Sequence, residues 1–239
     1  MLSEGSSRRK GVDVRLKVVL AAAVSLAVLP VPGANAGTPN GDLYENRFSS
    51  KALYREIRQV GGGEACQSRY LPNKNMMRVR VEGAAHCQYR APVVQDTEFP
   101  FQRWTVAGQI SDEIARGKRY RAYLTSRVRA GLGGFYELRI WPKTEGWLHR
   151  RKAPGENATE LEGDRLDAVR PVGAFNRLFL SVTEGTTFRA EINDAGTYFP
   201  FEDPEPVDGR GVRFGIGSTL DRPDPVIGYF KLLRAAQPD

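Results

Sequence analysis

The sequence predicts an all-β fold in which two antiparallel sheets pack face to face as a sandwich. Short runs of alternating apolar and polar residues recur at roughly ten-residue spacing, and Gly, Pro, Asn and Asp separate them. No segment after the N-terminal region keeps apolar residues at helical spacing for three turns. The chain has 239 residues, which is enough for a single domain with a full hydrophobic core.

Several strands can be placed directly from the alternation. Residues 77–81, 104–106 and 135–141 each follow a two-residue period, and Glu184-Gly185 separates two further runs as in a β-hairpin. The last strand is expected to bury Phe230 and Leu232. Together the runs assign six residues to the core: Leu178, Leu180, Phe188, Ile192, Phe214 and Phe230.

The N-terminus has the organisation of a secretory signal peptide. Basic residues precede an apolar run, Val18 to Val31, and Ala34-Asn35-Ala36 is a typical cleavage site. The alternative is an uncleaved anchor. The order of basic region, apolar run and cleavage site leads us to expect a secreted or cell-envelope protein. Its expected domains are a signal peptide at 1–36, a linker at 37–41 and one β-sandwich at 42–239.

The balance of basic and acidic residues indicates which classes of molecule the protein could bind. The whole chain has a net charge of +7, but the part after residue 36 carries 30 basic and 26 acidic residues. This mixed charge argues against nucleic acid as a partner and favours a glycan or an anionic cell-envelope polymer. We expect a monomer that meets the membrane only through the signal peptide, before cleavage.

Cys66 and Cys87 are the two cysteines of the chain. An even number in an exported protein predicts a disulfide, which would stabilise the fold by about 3 kcal/mol through loop closure. The alternative is a metal site that includes His86.

The order of strand and turn motifs resembles the concanavalin A-like lectin/glucanase superfamily, in particular laminin-G-like and keto-disaccharide-hydrolase-related bacterial domains. The resemblance covers about residues 42–235 and rests on five stretches in order: MMRVRVEG, GGFYELRIWPKTEGWLHR, NRLFLSVTEGTTFRAEIND, GRGVRFGIGS and VIGYFKLL. It implies a jelly roll of two antiparallel sheets, one of which often binds glycans. It implies function only by analogy.

Glucanases of this superfamily carry E-x-D-x-x-E on one strand, where one carboxyl acts as nucleophile and another as acid. The nearest match here places Glu162, Asp164 and Asp167 in what we expect to be a loop. These residues are candidate catalytic groups, and a solvated acidic loop is the alternative.

The resemblance also raises the possibility of calcium, which related sandwiches often hold at loop rims. Asp203, Glu205 and Asp208 in FEDPEPVDG could supply oxygen ligands. A solvated, proline-rich loop is the alternative, and we predict no other cofactor.

The stretch 135–141 is the first half of the best candidate ligand site. If Leu138 and Ile140 are buried, alternation sends Glu137, Arg139 and Trp141 to the opposite, outer face. The same reasoning on the preceding strand sends Arg127 and Arg129 outward, where we interpret them as a solvated surface.

The return strand completes that site. We take residues 142–146 as a five-residue connection and Leu148 as a core residue, so Trp147 and His149 are expected to join Trp141 on the outer face. Aromatic rings stack on the apolar face of a pyranose, and Glu and Arg bind hydroxyls or an acidic sugar group. The alternative is that the rings only stabilise an exposed sheet.

The predicted function is therefore non-catalytic binding of a carbohydrate or cell-envelope polymer by an exported sandwich. The alternatives are a glycosidase-type hydrolase of the same superfamily and a structural or protein-interaction module without a sugar ligand.

Overall fold

The computed structural model describes residues 42–92, 102–111, 122–131, 133–183, 187–193, 199–207, 209, 211–219 and 225–236. The predicted signal peptide and linker lie outside these residues. Within them, no helix has the length and apolar character needed to span a membrane.

Two antiparallel sheets form the fold, as the sequence predicts. Sheet A has eight strands in the order β13-β12-β11-β6-β15-β4-β3, with β1 also pairing with β15. Its strands are β1 Asp42–Asn46, β3 Cys66–Leu71, β4 Met76–Val81, β6 Gln102–Ile110, β11 Asn176–Thr183, β12 Thr187–Ile192, β13 Phe199–Glu202 and β15 Val226–Ala236.

Sheet B has seven strands in the order β10-β9-β8-β7-β14-β5-β2. Its strands are β2 Arg58–Gly61, β5 His86–Arg90, β7 Ala122–Gly131, β8 Gly134–Trp141, β9 Gly146–Lys152, β10 Thr159–Arg165 and β14 Gly211–Ser218. Many chain neighbours lie in different sheets, so the chain crosses repeatedly between the two layers.

The core lies between the sheets. All six residues that the alternation assigned to it are fully buried. Phe214 of sheet B meets Phe230 of sheet A with ring centroids 4.8 Å apart, and Tyr136 stacks on Phe188 across the same space at 3.7 Å. The two-residue pleat produces this arrangement, because each strand turns alternate side chains to one side.

The structure contains elements that the alternation did not predict. One short helix, α1 (Lys51–Glu56), begins after Ser50, whose side chain accepts a hydrogen bond from the Leu53 amide. β10 and β13 lie within stretches expected to be loops. β10 shows no apolar alternation because it is an edge strand whose residues are mostly exposed.

The last strand departs from simple alternation. Its register against β6 shifts between Phe230 and Leu232, so Lys231 is an extra residue on the strand. The shift reverses the faces that follow. Leu233 is consequently buried in the core, and the expectation that Leu232 occupies that position is wrong.

The predicted disulfide between Cys66 and Cys87 is confirmed. Cys66 begins β3 in sheet A and Cys87 lies in β5 of sheet B, so the bond joins the two layers covalently. It closes a loop across a sequence separation of 21 residues. No free cysteine is present in the chain.

We predict that Phe214→Ala lowers the free energy of unfolding by about 3–5 kcal/mol, because it leaves a cavity where two sheets meet. Urea denaturation monitored by circular dichroism measures this loss. Val60→Ala is the control, since Val60 is 40% exposed on β2, and it should change stability by less than about 0.5 kcal/mol. A loss below about 1 kcal/mol for Phe214→Ala would contradict its place in the core.

Candidate functional site

The candidate site lies on the outer face of sheet B, the side turned away from sheet A. On β8, the side chains of Tyr136, Leu138 and Ile140 point into the core. The pleat therefore turns Glu137, Arg139 and Trp141 to the outer face, as the sequence predicts.

The return strand does not follow the prediction. Trp141 pairs with Gly146, so the connection is a four-residue turn, and Trp147 lies opposite Ile140. Residues directly opposite each other share a face, which sends Trp147 and His149 inward, where they are 5% and 1% exposed. The predicted outer-face position of these two residues is wrong.

The turn between β8 and β9 is one residue shorter than expected, and this difference explains the wrong placement of Trp147 and His149. It moves every side chain of β9 to the other face, so Leu148 and Arg150 replace Trp147 and His149 on the outer side. Arg150 is the direct neighbour of Glu137 across the strands. In the observed register the outer face therefore lacks the indole of Trp147 and the imidazole of His149, and it gains the guanidinium group of Arg150.

Glu137 lies at the centre of the outer face and is surrounded by three arginines. Arg127 binds its Oε2 through both Nε and Nη2 at 2.5 Å. Arg139 reaches Oε1 through Nε at 3.0 Å and Nη2 at 2.9 Å, and the Nε of Arg150 reaches the same oxygen at 2.7 Å. We call these four residues the Glu137 cluster.

The Glu137 cluster keeps its carboxylate ionised. Glu137 is fully buried, and burial alone would raise its pKa, but the charges of Arg127, Arg139 and Arg150 outweigh burial and lower the pKa to about 2. Three guanidinium groups and one carboxylate leave the cluster with a net charge of +2. Arg127 is therefore not the solvated surface residue that we expected, since it is only 5% exposed.

A polar chain extends from the cluster to the neighbouring strand β5. Arg127 Nη1 donates to Gln88 Oε1 at 2.8 Å, and the Gln88 amide nitrogen lies 3.2 Å from His86 Nδ1. With Nδ1 accepting, neutral His86 donates from Nε2 to Thr125 Oγ1, 3.1 Å away. Burial, followed by the charge of Arg127, lowers the pKa of His86 to about 3, so it is neutral at physiological pH.

Aromatic rings lie beside this polar chain. The Tyr123 ring lies 5.4 Å from His86 and 6.1 Å from Trp141, measured between centroids. Arg139 stacks 4.0 Å above Tyr123, and its guanidinium is 5.6 Å from the Trp141 ring. We call His86, Tyr123 and Trp141 the aromatic strip.

Two glycines lie next to these rings, and one of them is required for the packing. A Cβ at Gly217 would come within 2.3 Å of the Tyr123 ring, so only glycine lets that ring pack on β14. A Cβ at Gly146 would lie 3.6 Å from the Trp141 ring. That distance is an ordinary van der Waals contact, so Trp141 lies near the start of β9, and it is partly exposed.

The candidate catalytic carboxylates lie elsewhere. Glu162 and Asp164 are exposed on the edge strand β10, not in a loop, and Asp167 is exposed in the turn that follows. Their register partners on β9 are His149 and Trp147, which point inward. Glu162 and Asp164 therefore lie on the opposite side of the sheet from Glu137.

The structure describes two of the three candidate calcium ligands, Asp203 and Glu205. Asp203 is buried, and its Oδ2 accepts hydrogen bonds from Tyr136 and from Arg151 Nε. Burial would raise the pKa of Asp203, but these two donors outweigh it and lower the pKa. Glu205 is exposed, and Asp208 lies outside the described residues. Among the described residues, no three His, Cys, Asp or Glu side chains form a group that could hold a metal ion.

Sequence reasoning missed several residues of the site. Arg150 was missed because the turn before β9 is one residue shorter than expected. Gln88, His86 and Tyr123 were missed as site residues because alternation on β5 and β7 does not reveal which strands are neighbours. An available signal was the spacing of Cys87 with His86 and Gln88. A buried disulfide on β5 turns both flanking side chains to the outer face.

No family model and no curated protein matches the chain. Solved structures do match. A prokaryotic β-1,3-1,4-glucanase (lichenase) derived from a mouse hindgut metagenome is 10% identical, with a TM-score of 0.58, over 82% of this chain and 99% of its own. A Bacillus subtilis protein of unknown function with a galectin-like fold is 13% identical, with a TM-score of 0.56, over 83% and 96%.

A carbohydrate-binding module from Bacillus subtilis also matches, with 13% identity and a TM-score of 0.51 over 76% of this chain and 96% of the module. The chain has the concanavalin A-like sandwich fold. At these identities the similarity concerns the fold alone. The resemblance noted in the sequence is confirmed at that level.

Within this concanavalin A-like sandwich, His149 makes stability depend on pH. Burial lowers its pKa to about 4, and its Nε2 has no hydrogen-bond partner. Between pH 6.5 and 4 the unfolded chain binds a proton that the folded protein does not, so stability is full above pH 6.5 and falls as the pH decreases. The lowered pKa of His149 should therefore reduce the free energy of unfolding by about 2 kcal/mol when the pH falls from 7.5 to 5.

Urea unfolding of wild type and His149→Leu at both pH values checks this prediction. The apolar replacement should remove about 2 kcal/mol of the pH dependence, while the contribution of His86 remains in both proteins and cancels. Equal pH dependence in the two proteins would show that His149 is not held neutral in the fold.

Proposed function

We propose that this protein is an exported, non-catalytic carbohydrate-binding domain that holds a saccharide on the outer face of sheet B. The observation that carries the proposal is the position of Trp141. Its partly exposed ring lies beside Arg139, with Tyr123 as the next ring of the aromatic strip. The structural similarity to a carbohydrate-binding module and a glucanase supports use of this fold for sugars.

The aromatic strip provides the stacking part of such a site. The C–H face of a pyranose is apolar, whereas the face of an aromatic ring carries partial negative charge, so the two attract when they stack. Trp141 is partly exposed, and its position between Gly146 and the Tyr123 ring, whose centroid is 6.1 Å away, limits the orientations of its side chain. The ring is thereby oriented before the sugar arrives, which reduces the entropy lost on binding.

The polar chain provides the directional part. Hydroxyl groups need donors and acceptors at fixed positions, and the hydrogen bonds from Arg127 through Gln88 to His86 fix these side chains. Side chains that are held by hydrogen bonds lose less conformational entropy on binding than the long, unpaired charged side chains of an ordinary solvated sheet. A site with a few fixed polar groups beside rings is typical of ligand recognition.

The hydrolase alternative receives less support. A glycosidase needs two carboxyl groups, one of which must carry a proton to donate. Glu137 has a pKa of about 2 and is bound by three arginines, so it is neither a proton donor nor a free nucleophile. Glu162 and Asp164 lie on the other side of the sheet. The geometry of the described residues therefore favours binding.

Export is supported by two independent features. The first 36 residues have the order of a signal peptide, and the disulfide between Cys66 and Cys87 is typical of proteins that fold in an oxidising compartment. A secreted or cell-envelope location would bring the outer face of sheet B into contact with extracellular polysaccharides.

We predict that Trp141→Ala weakens saccharide binding about tenfold, the loss expected for one stacking contact. The chain from residue 37 is first screened on immobilised β-1,3-1,4-glucan, xylan and galacturonan. Calorimetry with oligosaccharides of the polymer that binds best then measures the affinity.

Lys143→Ala is the matched control, because Lys143 is exposed in the turn next to Trp141 and is expected to leave the affinity unchanged. The same samples are assayed for new reducing ends, which a binding domain does not produce. Unchanged affinity in Trp141→Ala would place the site elsewhere, and release of reducing ends would favour the hydrolase.

A further inference from the structure

We propose that the ligand of this face is an acidic saccharide whose carboxylate or sulfate group is bound by Arg139 and Arg150. This inference rests on the proposed function and specifies the class of sugar. It is carried by an imbalance of charge in the Glu137 cluster, by the position of Arg150 at the edge of that cluster, and by the rings beside it.

The single carboxylate of the cluster is already saturated. The two oxygens of Glu137 receive five N–H contacts, two from Arg127, two from Arg139 and one from Arg150. A carboxylate offers about four lone-pair positions, so Glu137 has no capacity for a further donor. The remaining charge of the cluster must be balanced by solvent ions or by a ligand.

The two arginines differ from Arg127 in their access to solvent. The Arg127 side chain is 6% exposed, whereas those of Arg139 and Arg150 are 11% and 22% exposed. Arg150 uses only its Nε toward Glu137, and no described residue binds its two terminal nitrogens. These nitrogens form the planar fork that matches a carboxylate or sulfate group.

The surrounding face strengthens the positive field. Beyond the cluster, Arg90, Arg213 and Lys152 share the outer face by register on β5, β14 and β9. The central strands β5, β14, β7, β8 and β9 thus place six cations and one carboxylate on this side. Glu160 of the edge strand β10 is the register neighbour of Arg150, but it is exposed and forms no ion pair with it.

Geometry connects this anion site to the aromatic strip. The same Arg139 that binds Glu137 stacks on Tyr123 and lies 5.6 Å from the centroid of Trp141. A sugar ring stacked on Trp141 would therefore carry its acidic substituent close to Arg139, with Arg150 on the neighbouring strand. Glu137 fixes both guanidinium groups before the ligand binds, which reduces the entropy lost on binding.

General attraction of polyanions by the basic chain is the competing explanation. The outer face of sheet A also has a groove of about 350 Å³ whose lining includes Arg170, Arg177, Lys231 and Arg234. A test must therefore separate this groove from the Glu137 cluster. Lys231 is exposed on β15 and serves as a control of equal charge.

The test compares oligogalacturonates with their methyl esters by calorimetry on the chain from residue 37. Esterification removes the charge and keeps the sugar, so we expect the acid form to bind at least about tenfold more tightly to the wild type. Heparin-derived oligosaccharides provide the sulfate arm. They distinguish a site for any acidic group from one that accepts carboxylates alone.

In the variants, Arg150→Gln should remove most of the preference for the acid form, and Lys231→Gln should preserve it. Arg150→Lys keeps the charge without the fork and is expected to lose about half of the preference on a logarithmic scale. Circular dichroism confirms folding of each variant. If Arg150→Gln does not fold, the comparison of acid and ester on wild type still decides the class of sugar.

Three results would overturn the inference in distinguishable ways. Equal binding of acid and ester, with dependence on Trp141 retained, leaves the proposed function standing and refutes an acidic ligand. An equal loss in Lys231→Gln and Arg150→Gln shows attraction by overall charge. Absence of binding to every saccharide, neutral or acidic, contradicts the proposed function as well.

Discussion

The pairing of Trp141 with Gly146 determines which side chains of the β8–β9 hairpin reach the outer face of sheet B. Because side chains alternate along a strand, this single register sets the position of every residue on β9. It places Arg150 beside Glu137 and buries Trp147 and His149 between the sheets. The candidate site therefore depends on a four-residue turn.

The same strand supplies arginines to two carboxylates on opposite sides of the sheet. Arg150 points outward to Glu137, and the next residue, Arg151, points inward, where it shares Asp203 with the hydroxyl of Tyr136. The inner network ties the segment after β13 to β8, because Tyr136 also accepts a hydrogen bond from the Val207 amide. One network supports packing, and the other lies on the face proposed for ligand binding.

The Glu137 cluster is not an efficient way to stabilise a fold. Burial of charged groups costs several kcal/mol each, and a buried ion pair seldom exceeds an apolar pair in net stability. A cluster of three cations and one anion adds repulsion between like charges, which the structure lowers by stacking Arg127 on Phe135 and Arg139 on Tyr123. The acidic ligand proposed above would reduce this repulsion by placing negative charge next to Arg139 and Arg150.

The sequence by itself determined the class of fold, the core and the disulfide. Alternation identified Phe214 and Phe230 as core residues because burial requires a two-residue period whatever the neighbouring strand. It also placed Glu137, Arg139 and Trp141 on one face, since that inference needs only a single strand. Edge strand β10 remained hidden because an exposed strand is under no such requirement.

Tertiary structure alone decided how those residues are combined. Cross-strand register depends on the length of a turn and on bulges, such as the one at Lys231, and neither is encoded in alternation. Arg127 and Arg150 reach Glu137 from the flanking strands β7 and β9, and Gln88, 39 residues from Arg127 in sequence, joins them through Arg127 because of the strand order in sheet B. A local pattern can show which way a side chain points, but its partners are set by strand pairing and register.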